Sequence, residues 1–394
     1  MITKDLLDIL AKESRVMAII KAELLEIKEK YATPRMTDLV PDEGEIAIED
    51  LIANEGVIIT LTHSGLIKRT NVNSYRAQRR GGKGVIGMTT REGATEEEND
   101  FIEHLFTAST HDYLMFFTNT GRVYVERVHE IPDMGRASKG RSIANILELK
   151  AGEKVAALIR VISKTGANKE DVTWQSEEFL FFATQQGTVK KTALAEFSNM
   201  RKGGIIAIGI DPGDILIDVK LTTGHNEVVM ITREGQSIRF NEEDVRSMGR
   251  TAVGVRGIRV EKTDAVVALA VVVPDATLLV AGENGIGKRT NFDEYRVQSR
   301  GGKGIITMKT NEKTGNVVGA LTVQDKDEIM LITFEGQMVR ISVGGLREVG
   351  RNTQGVKLIN LTEKDKLQAI APVISEEIVE PENGEGNPEP TLPA

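Results

Sequence analysis

Val57-Ile58-Ile59-Thr60-Leu61-Thr62-His63-Ser64-Gly65-Leu66-Ile67-Lys68-Arg69-Thr70 sets the pattern for most of the chain. A β-branched run, a short polar turn ending in glycine and a second β-branched run make a strand, a tight turn and a strand, which is a β-hairpin. The unit recurs with turn glycines at Gly65, Gly121, Gly187, Gly235, Gly285 and Gly336, at intervals of 56, 66, 48, 50 and 51 residues. Tyr113-Leu114-Met115-Phe116-Phe117 leads into Gly121, and Ile329-Met330-Leu331-Ile332 into Gly336. A second glycine loop follows each turn. It closes 19 residues on at Gly84, Gly140, Gly254, Gly304 and Gly355, and two residues sooner in the third repeat, at Gly204. Paired landmarks at nearly constant offset are the signature of a repeat architecture.

Six small sheets cannot each cover two faces alone. Closing them into a ring covers the faces and hides most edges. The expected fold is therefore all-β and six-bladed, with a linear β-solenoid as the alternative. The radial domain spans 45–373. Before it, residues 1–31 form a helical segment and 32–44, with Pro34, Pro41 and Gly44, a linker. Leu6, Leu10, Met17, Ile20, Leu24, Ile27 and Tyr31 follow a coiled-coil-like seam that only Glu13 breaks, with Thr3 as N-cap and Ser14 as the point where the run divides in two. Residues 162–177 read as an insertion, 92–100 as an acidic loop, and 374–394 as an acidic disordered tail with six glutamates and four prolines.

The 394 residues hold 50 Lys plus Arg against 58 Asp plus Glu, a net of -8, so any basic surface must be local. The absence of cysteine removes disulfides and thiolate metal sites and fits a reducing cytoplasm. No signal peptide and no membrane span are expected. Aromatic residues make up only 4%, which argues against a single-strand binder built on stacking.

The local basic surface comes with the repeat. Four residues past the turn glycines lie Arg69, Val125, Lys191, Arg239, Arg289 and Arg340. The loops add Arg79, Arg80 and Lys83; Arg136 and Lys139; Arg201 and Lys202; Arg250; Arg300 and Lys303; and Arg351. On a ring these would make a curved band of phosphate-binding groups suited to bent duplex DNA. The plain alternative is a set of exposed strand-end cations. The richest loop is Gln78-Arg79-Arg80-Gly81-Gly82-Lys83-Gly84, whose glycines let backbone N–H groups form an anion nest.

Other chemistry is weak. Gly282 to Lys288 nearly matches a nucleotide phosphate loop, but Arg289 stands where Ser or Thr must hold magnesium, and the segment aligns with the other hairpin turns. His63, His104, His111, His129 and His225 have no ligand spacing, and no nucleophile–base pair is found. Met200, Met248 and Met308 read as gap-fillers.

Gln78–Gly84 resembles the signature box of the C-terminal domain of DNA gyrase A subunits, and the resemblance covers nearly the whole chain. Asn284–Thr290 with Tyr295–Gly304 is similar to that family's fifth blade. Gly249–Thr251 with Gly254–Gly257 is similar to its fourth, Gly350–Gly355 to its sixth, and Leu6–Tyr31 to the helix that ends the breakage-and-reunion region. The resemblance implies a six-bladed β-pinwheel, a propeller variant whose blades exchange strands and whose rim wraps duplex DNA. In that reading Arg79, Arg80 and Lys83 hold entering or leaving DNA at the ring closure, Gln78 contributes a hydrogen bond, and Gly81, Gly82 and Gly84 let the loop fit. Arg69, Lys191, Arg239, Arg289, Arg300, Lys303, Arg340 and Arg351 share the rim.

It also implies partners: the rest of the A subunit, its dimer mate and the B subunit, in the bacterial, nucleoid-associated cytoplasm. ATP and magnesium belong to other parts of that enzyme, and no cofactor is expected here. No tyrosine of this chain stands in the family's catalytic context, so no DNA cleavage by it alone is expected. Val125-Glu126 departs from the basic pattern, with Arg127 as a compensating candidate. Two other readings stay open: the corresponding domain of topoisomerase IV, whose box is usually degraded, and a protein-interaction propeller with no nucleic-acid role.

Overall fold

The computed structural model describes residues 2–33, 51–74, 85–86, 100, 102–161, 177–362 and 365–373. The heptapeptide 78–84, most of the linker and of the acidic loop, the insertion up to residue 176 and the tail lie outside the described residues. Two compact units are present, Met1–Ile46 and Ala47–Ala394.

The first unit holds α1 (Ile2–Ala11) and α2 (Glu13–Tyr31), with no buried residue in either helix. The break falls at Lys12, not Ser14. Lys12 is extended (φ -125, ψ 104), and its carbonyl accepts the Arg15 N–H at 2.9 Å, so it starts α2. Thr3 lies inside α1 instead of capping it. Arg15 pins the two helices through Asp5 and Asp8, at 2.8 and 2.9 Å.

The second unit is six four-stranded sheets. Each contains one of the expected hairpins: β1 (Gly56–Thr62) with β2 (Leu66–Asn71), β5 (Tyr113–Thr118) with β6 (Arg122–Arg127), β9 (Phe179–Thr184) with β10 (Thr188–Ala193), β13 (Glu227–Thr232) with β14 (Gln236–Asn241), β17 (Thr277–Gly282) with β18 (Ile286–Asn291), and β21 (Glu328–Thr333) with β22 (Gln337–Ser342). The first strand of each hairpin also pairs with an inner strand: β4 (Ile102–Ser109), β8 (Val155–Val161), β12 (Leu216–Thr222), β16 (Val266–Val271), β20 (Val317–Val323) or β24 (Leu367–Val373). Five neighbouring pairs of inner strands meet around the axis, β24 with β4 among them, and the first and second blades share a buried apolar cluster, so the ring closes and the solenoid alternative falls.

The outer strand of each blade comes from the next repeat. β7 (Arg141–Ser142) completes the first sheet, β11 (Ile205–Ile206) the second, β15 (Val255–Arg256) the third, β19 (Ile305–Ile306) the fourth and β23 (Val356–Lys357) the fifth. The sixth is completed by β3 (Val85–Ile86), so the residues just after the box lock the last blade to the first repeat through Gln337↔Ile86 and Met338↔Val85. The exchange explains the turn glycines. Gly121 has φ +82, and a Cβ there would lie 2.4 Å from the Ile208 carbonyl oxygen of the next repeat.

Strand alternation sends each hairpin's side chains into two different seams. From β5, Leu114 and Phe116 join Ile59 and Ala108 of the first blade, while Met115 and Phe117 join Leu180 and Phe182 of the third. Six such clusters exist, one at every seam; Ile58 and Leu105 with Met330 and Met338 form the one that closes the ring. A fully buried Phe or Leu contributes roughly 1.5–3 kcal/mol, so the seams, not single blades, hold the fold.

Candidate nucleic-acid interface

The cations four residues past the turn glycines sit in the seams. Arg239 donates to Glu227 of its own blade through Nε at 2.8 Å and crosses to the carbonyls of Phe292 and Tyr295, at 2.6 and 3.1 Å. Arg289 is 5% exposed and reaches the Val343 carbonyl at 3.3 Å, Asp325 at 2.6 Å and Glu348 at 2.7 Å. Lys191 donates to the Glu242 carbonyl at 3.1 Å, with its ammonium 5.2 Å from the Phe179 ring centre. The carbonyls of Glu242, Phe292 and Val343 each open the short 3-10 turn of the following blade, so one repeated clasp joins neighbours. Arg69 faces Asp133 at 4.0 Å, and Arg340 pairs with Glu328 of its own blade. The structure therefore places Arg69, Lys191, Arg239, Arg289 and Arg340 as partnered, largely covered groups instead of an exposed band. Val125 fits this role by another route: it packs on the apolar cluster between the second and third blades, while Arg127 lies 4.4 Å over the Tyr113 ring.

A second set of cations is buried deeper. Lys68, Lys190 and Lys288, three residues past the turn glycines of alternate repeats, are 0%, 0% and 1% exposed. Lys68 Nζ donates to the carbonyls of Gly135 and Ser138 at 3.2 and 3.1 Å, and also to that of Arg136. Lys190 Nζ reaches Arg250 O at 2.5 Å and Ala207 O at 2.7 Å. Lys288 Nζ reaches Gly350 O at 3.0 Å and the Arg351 carbonyl. Burial, then the Arg136 charge, pushes Lys68 down to about 8. Burial with Arg250 takes Lys190 to about 7. Burial takes Lys288 to about 8, with Glu294 opposing the drop and Arg351 adding to it.

In the ring, exposed cations lie on loops and outer strands. Arg300 and Lys303 are exposed; Arg300 uses Nε on Asp244 O at 3.0 Å and Nη1 on Arg256 O at 3.1 Å, which leaves other guanidinium donors outward. Lys303 is 71% exposed and 3.2 Å from Glu261. Arg351 is half-buried, anchored on the Ile306 carbonyl. Arg201 and Lys202 are exposed as well. Arg246, Arg296 and Arg347, eleven residues past their turn glycines, are exposed and were missed by a reading centred on the strands; so were Arg256 and Lys357 on the outer strands. Gln78, Arg79, Arg80, Gly81, Gly82, Lys83 and Gly84 lie outside the described residues; β3, which begins at the next residue, pairs with the last blade.

The Gly282–Lys288 stretch forms a hairpin, with β18 where a phosphate loop needs a helix. Among the described residues no group of His, Asp and Glu has metal-binding geometry, and no helix is long and apolar enough to cross a membrane. Met308 is buried in a seam, and Met200 and Met248 pack against others.

Comparison with known proteins agrees with this geometry. The family described as DNA gyrase C-terminal domain, beta-propeller, matches residues 56–109, 112–162, 178–223, 226–272, 276–324 and 327–374. The DNA gyrase A subunit of Mycolicibacterium smegmatis is 42% identical over 369 residues, covering 93% of this chain and 42% of its own length. The chain thus spans about two-fifths of the length of such relatives. A structure of a DNA gyrase A C-terminal domain superposes with a TM-score of 0.70 at 27% identity, over 81% of this chain and all of that one. The C-terminal domain of a DNA topoisomerase IV gives 0.59 at 26% identity, over 82% and 94%. The chain belongs to the family of DNA gyrase A C-terminal β-propeller domains.

Proposed function

We propose that the chain is the gyrase A module that binds duplex DNA and wraps it with a defined hand, in support of ATP-dependent negative supercoiling by the intact type II topoisomerase. The observation that carries this reading is the placement of cations on a closed ring. Seam cations are consumed by structure, while Arg201, Lys202, Arg246, Arg296, Arg300, Lys303 and Arg347 remain at its surface. Phosphate contacts of this kind are independent of sequence and suit a long, curved path. Bending 20–30 base pairs by 40–90° costs on the order of 1–6 kcal/mol, which many distributed contacts offset. The Arg79, Arg80 and Lys83 loop, which precedes β3 in the sequence, is assigned to the entering or leaving end of the path.

In this reading the partners are double-stranded DNA, the remainder of the gyrase A polypeptide with its dimer mate, and gyrase B, in a bacterial cytoplasm. ATP and magnesium act on those other parts, and the chain alone does not cleave DNA. The test is a salt titration of duplex binding. With about six phosphates neutralised, log K falls against log salt with a slope of about -5. A flat response would leave an interaction propeller. Steep binding without wrapping would favour the topoisomerase IV type of domain, whose fold is also similar.

A further inference from the structure

Alternate repeats differ in what lies under the next repeat's loop. Under the loops that begin Gly135-Arg136, Gly249-Arg250 and Gly350-Arg351 lie Lys68, Lys190 and Lys288; the equivalent residues in the other repeats are Tyr124, Ile238 and Val339. Tyr124 packs against Gly204, and Ile238 against Gly302, of the glycine-pair loops. A buried ammonium is strongly unfavourable unless it is fully hydrogen-bonded. These three use that requirement to draw loop carbonyls inward, and in peptide units so turned the N–H groups face the other way, as in an anion nest.

The sixth repeat shows an anion on that outer face. The Arg351 N–H donates to Glu294 Oε2 at 2.6 Å, and both Glu294 oxygens lie 3.7 Å from where a Cβ on Gly350 would stand. Glu294 ends the 3-10 turn Phe292–Glu294 of the preceding blade. A carboxylate and a phosphate are both oxyanions that backbone N–H groups can hold. At the matching positions before the second and fourth loops stand Ser74 and Glu196, so a carboxylate precedes the fourth and sixth loops and a hydroxyl the second.

We propose that the Gly-Arg loops of the second, fourth and sixth repeats are three phosphate-binding sites of the rim, each built from beneath by Lys68, Lys190 or Lys288, and that Glu294 occupies the sixth until a DNA phosphate displaces it. This rests on the DNA-wrapping reading and adds to it a set of positioning lysines and an internal competitor.

The experiment measures duplex binding by the whole chain across a salt series, for the parent, Glu294→Gln, Asp293→Asn and Lys288→Met. Asp293 is the adjacent exposed carboxylate and controls for bulk charge. Glu294→Gln is expected to tighten binding about threefold to tenfold at a nearly unchanged salt slope, because the same phosphate is held in both complexes and only its competitor is removed. Asp293→Asn should change affinity less than about twofold at an unchanged slope, since it removes an exposed, screened charge and leaves Glu294 on the Arg351 N–H. Lys288→Met should lower the slope while the thermal transition persists. Equal effects of Glu294→Gln and Asp293→Asn would overturn the inference, as would a Glu294→Gln variant that binds like the parent. If Lys288→Met does not fold, the Glu294 and Asp293 pair still decides. A parent that shows no salt-dependent binding would instead sink the DNA-wrapping reading itself.

Discussion

The seam between the fifth and sixth blades and the seam between the second and third solve one problem with opposite chemistry. At the first, Arg289 crosses to Val343, Asp325 and Glu348, and Lys288 lies beneath the next loop. At the second, Val125 replaces the crossing cation, and aromatic rings take over: Phe117 meets Phe182 edge-on at 5.6 Å, and Phe182 meets Phe197 at 6.5 Å. The next loop there is two residues shorter and is held from the side, by Arg122 Nη2 on the carbonyls of Gly203 and Gly204 at 2.6 and 3.0 Å. A repeated position therefore fixes a backbone role, not a side-chain type. The basic residue recurring there is one way of closing a seam and is no measure of how much DNA the blade can hold.

The contrast would fail most visibly at the aromatic seam. Phe182→Ala removes a fully buried ring, and a destabilisation of about 3–5 kcal/mol is expected from the lost contacts and the cavity. Thermal or urea unfolding measures it, and a loss under about 1 kcal/mol would mean that this seam is not held by its rings. Arg289→Met at the charged seam should cost less, about 1–3 kcal/mol, because the carboxylates of Asp325 and Glu348 are 81% and 48% exposed and regain water while the Val343 carbonyl does not. The same variant, once folded, should keep the parent's salt slope for DNA; a slope lower by a full contact would return Arg289 to the rim.

Arg300→Ala should do the converse. Stability should move by no more than about 0.5 kcal/mol, as for an ordinary surface site. The salt slope should fall by about 0.9, which duplex titrations can resolve. The smallest effect concerns pH. Lys68, Lys190 and Lys288 are held at about 8, 7 and 8, below the ordinary lysine value of 10.5, so each is charged below that point and neutral above it. The charged groups facing them are Arg136, Arg250, and Glu294 with Arg351. Positive charge behind the Gly-Arg loops is thus lost as pH rises, and DNA affinity should weaken from pH 7 to 9 more in the parent than in a folded Lys190→Met variant. Identical profiles would show that these charges do not reach the DNA.

The hairpins and their sixfold spacing were legible because glycine turns between β-branched runs are local signals. The strand exchange was implied by the family resemblance alone and by no local pattern. A two-residue strand such as Val85–Ile86 carries no pattern, and its partner lies some 250 residues away, at Gln337 and Met338. The seam role of Arg289 was hidden because a strand-end cation has the same sequence signature whether it faces solvent or a neighbouring carbonyl. One signal was present all the same. Lys68-Arg69, Lys190-Lys191 and Lys288-Arg289 are adjacent in strands, and strand side chains alternate, so one of each pair had to point inward. The helical break at Lys12 was missed for a different reason: its cap is a backbone carbonyl, which no side chain announces.

Chiral wrapping can be read most directly by binding the chain to a nicked plasmid circle, sealing the nick, removing the protein and measuring the linking number. Wrapping through the box predicts a positive linking change, lost when Arg79, Arg80 and Lys83 are all replaced by alanine and retained when Arg289 is replaced by methionine. Bound DNA with no linking change, or a change that survives loss of the three box cations, would contradict chiral wrapping through the box.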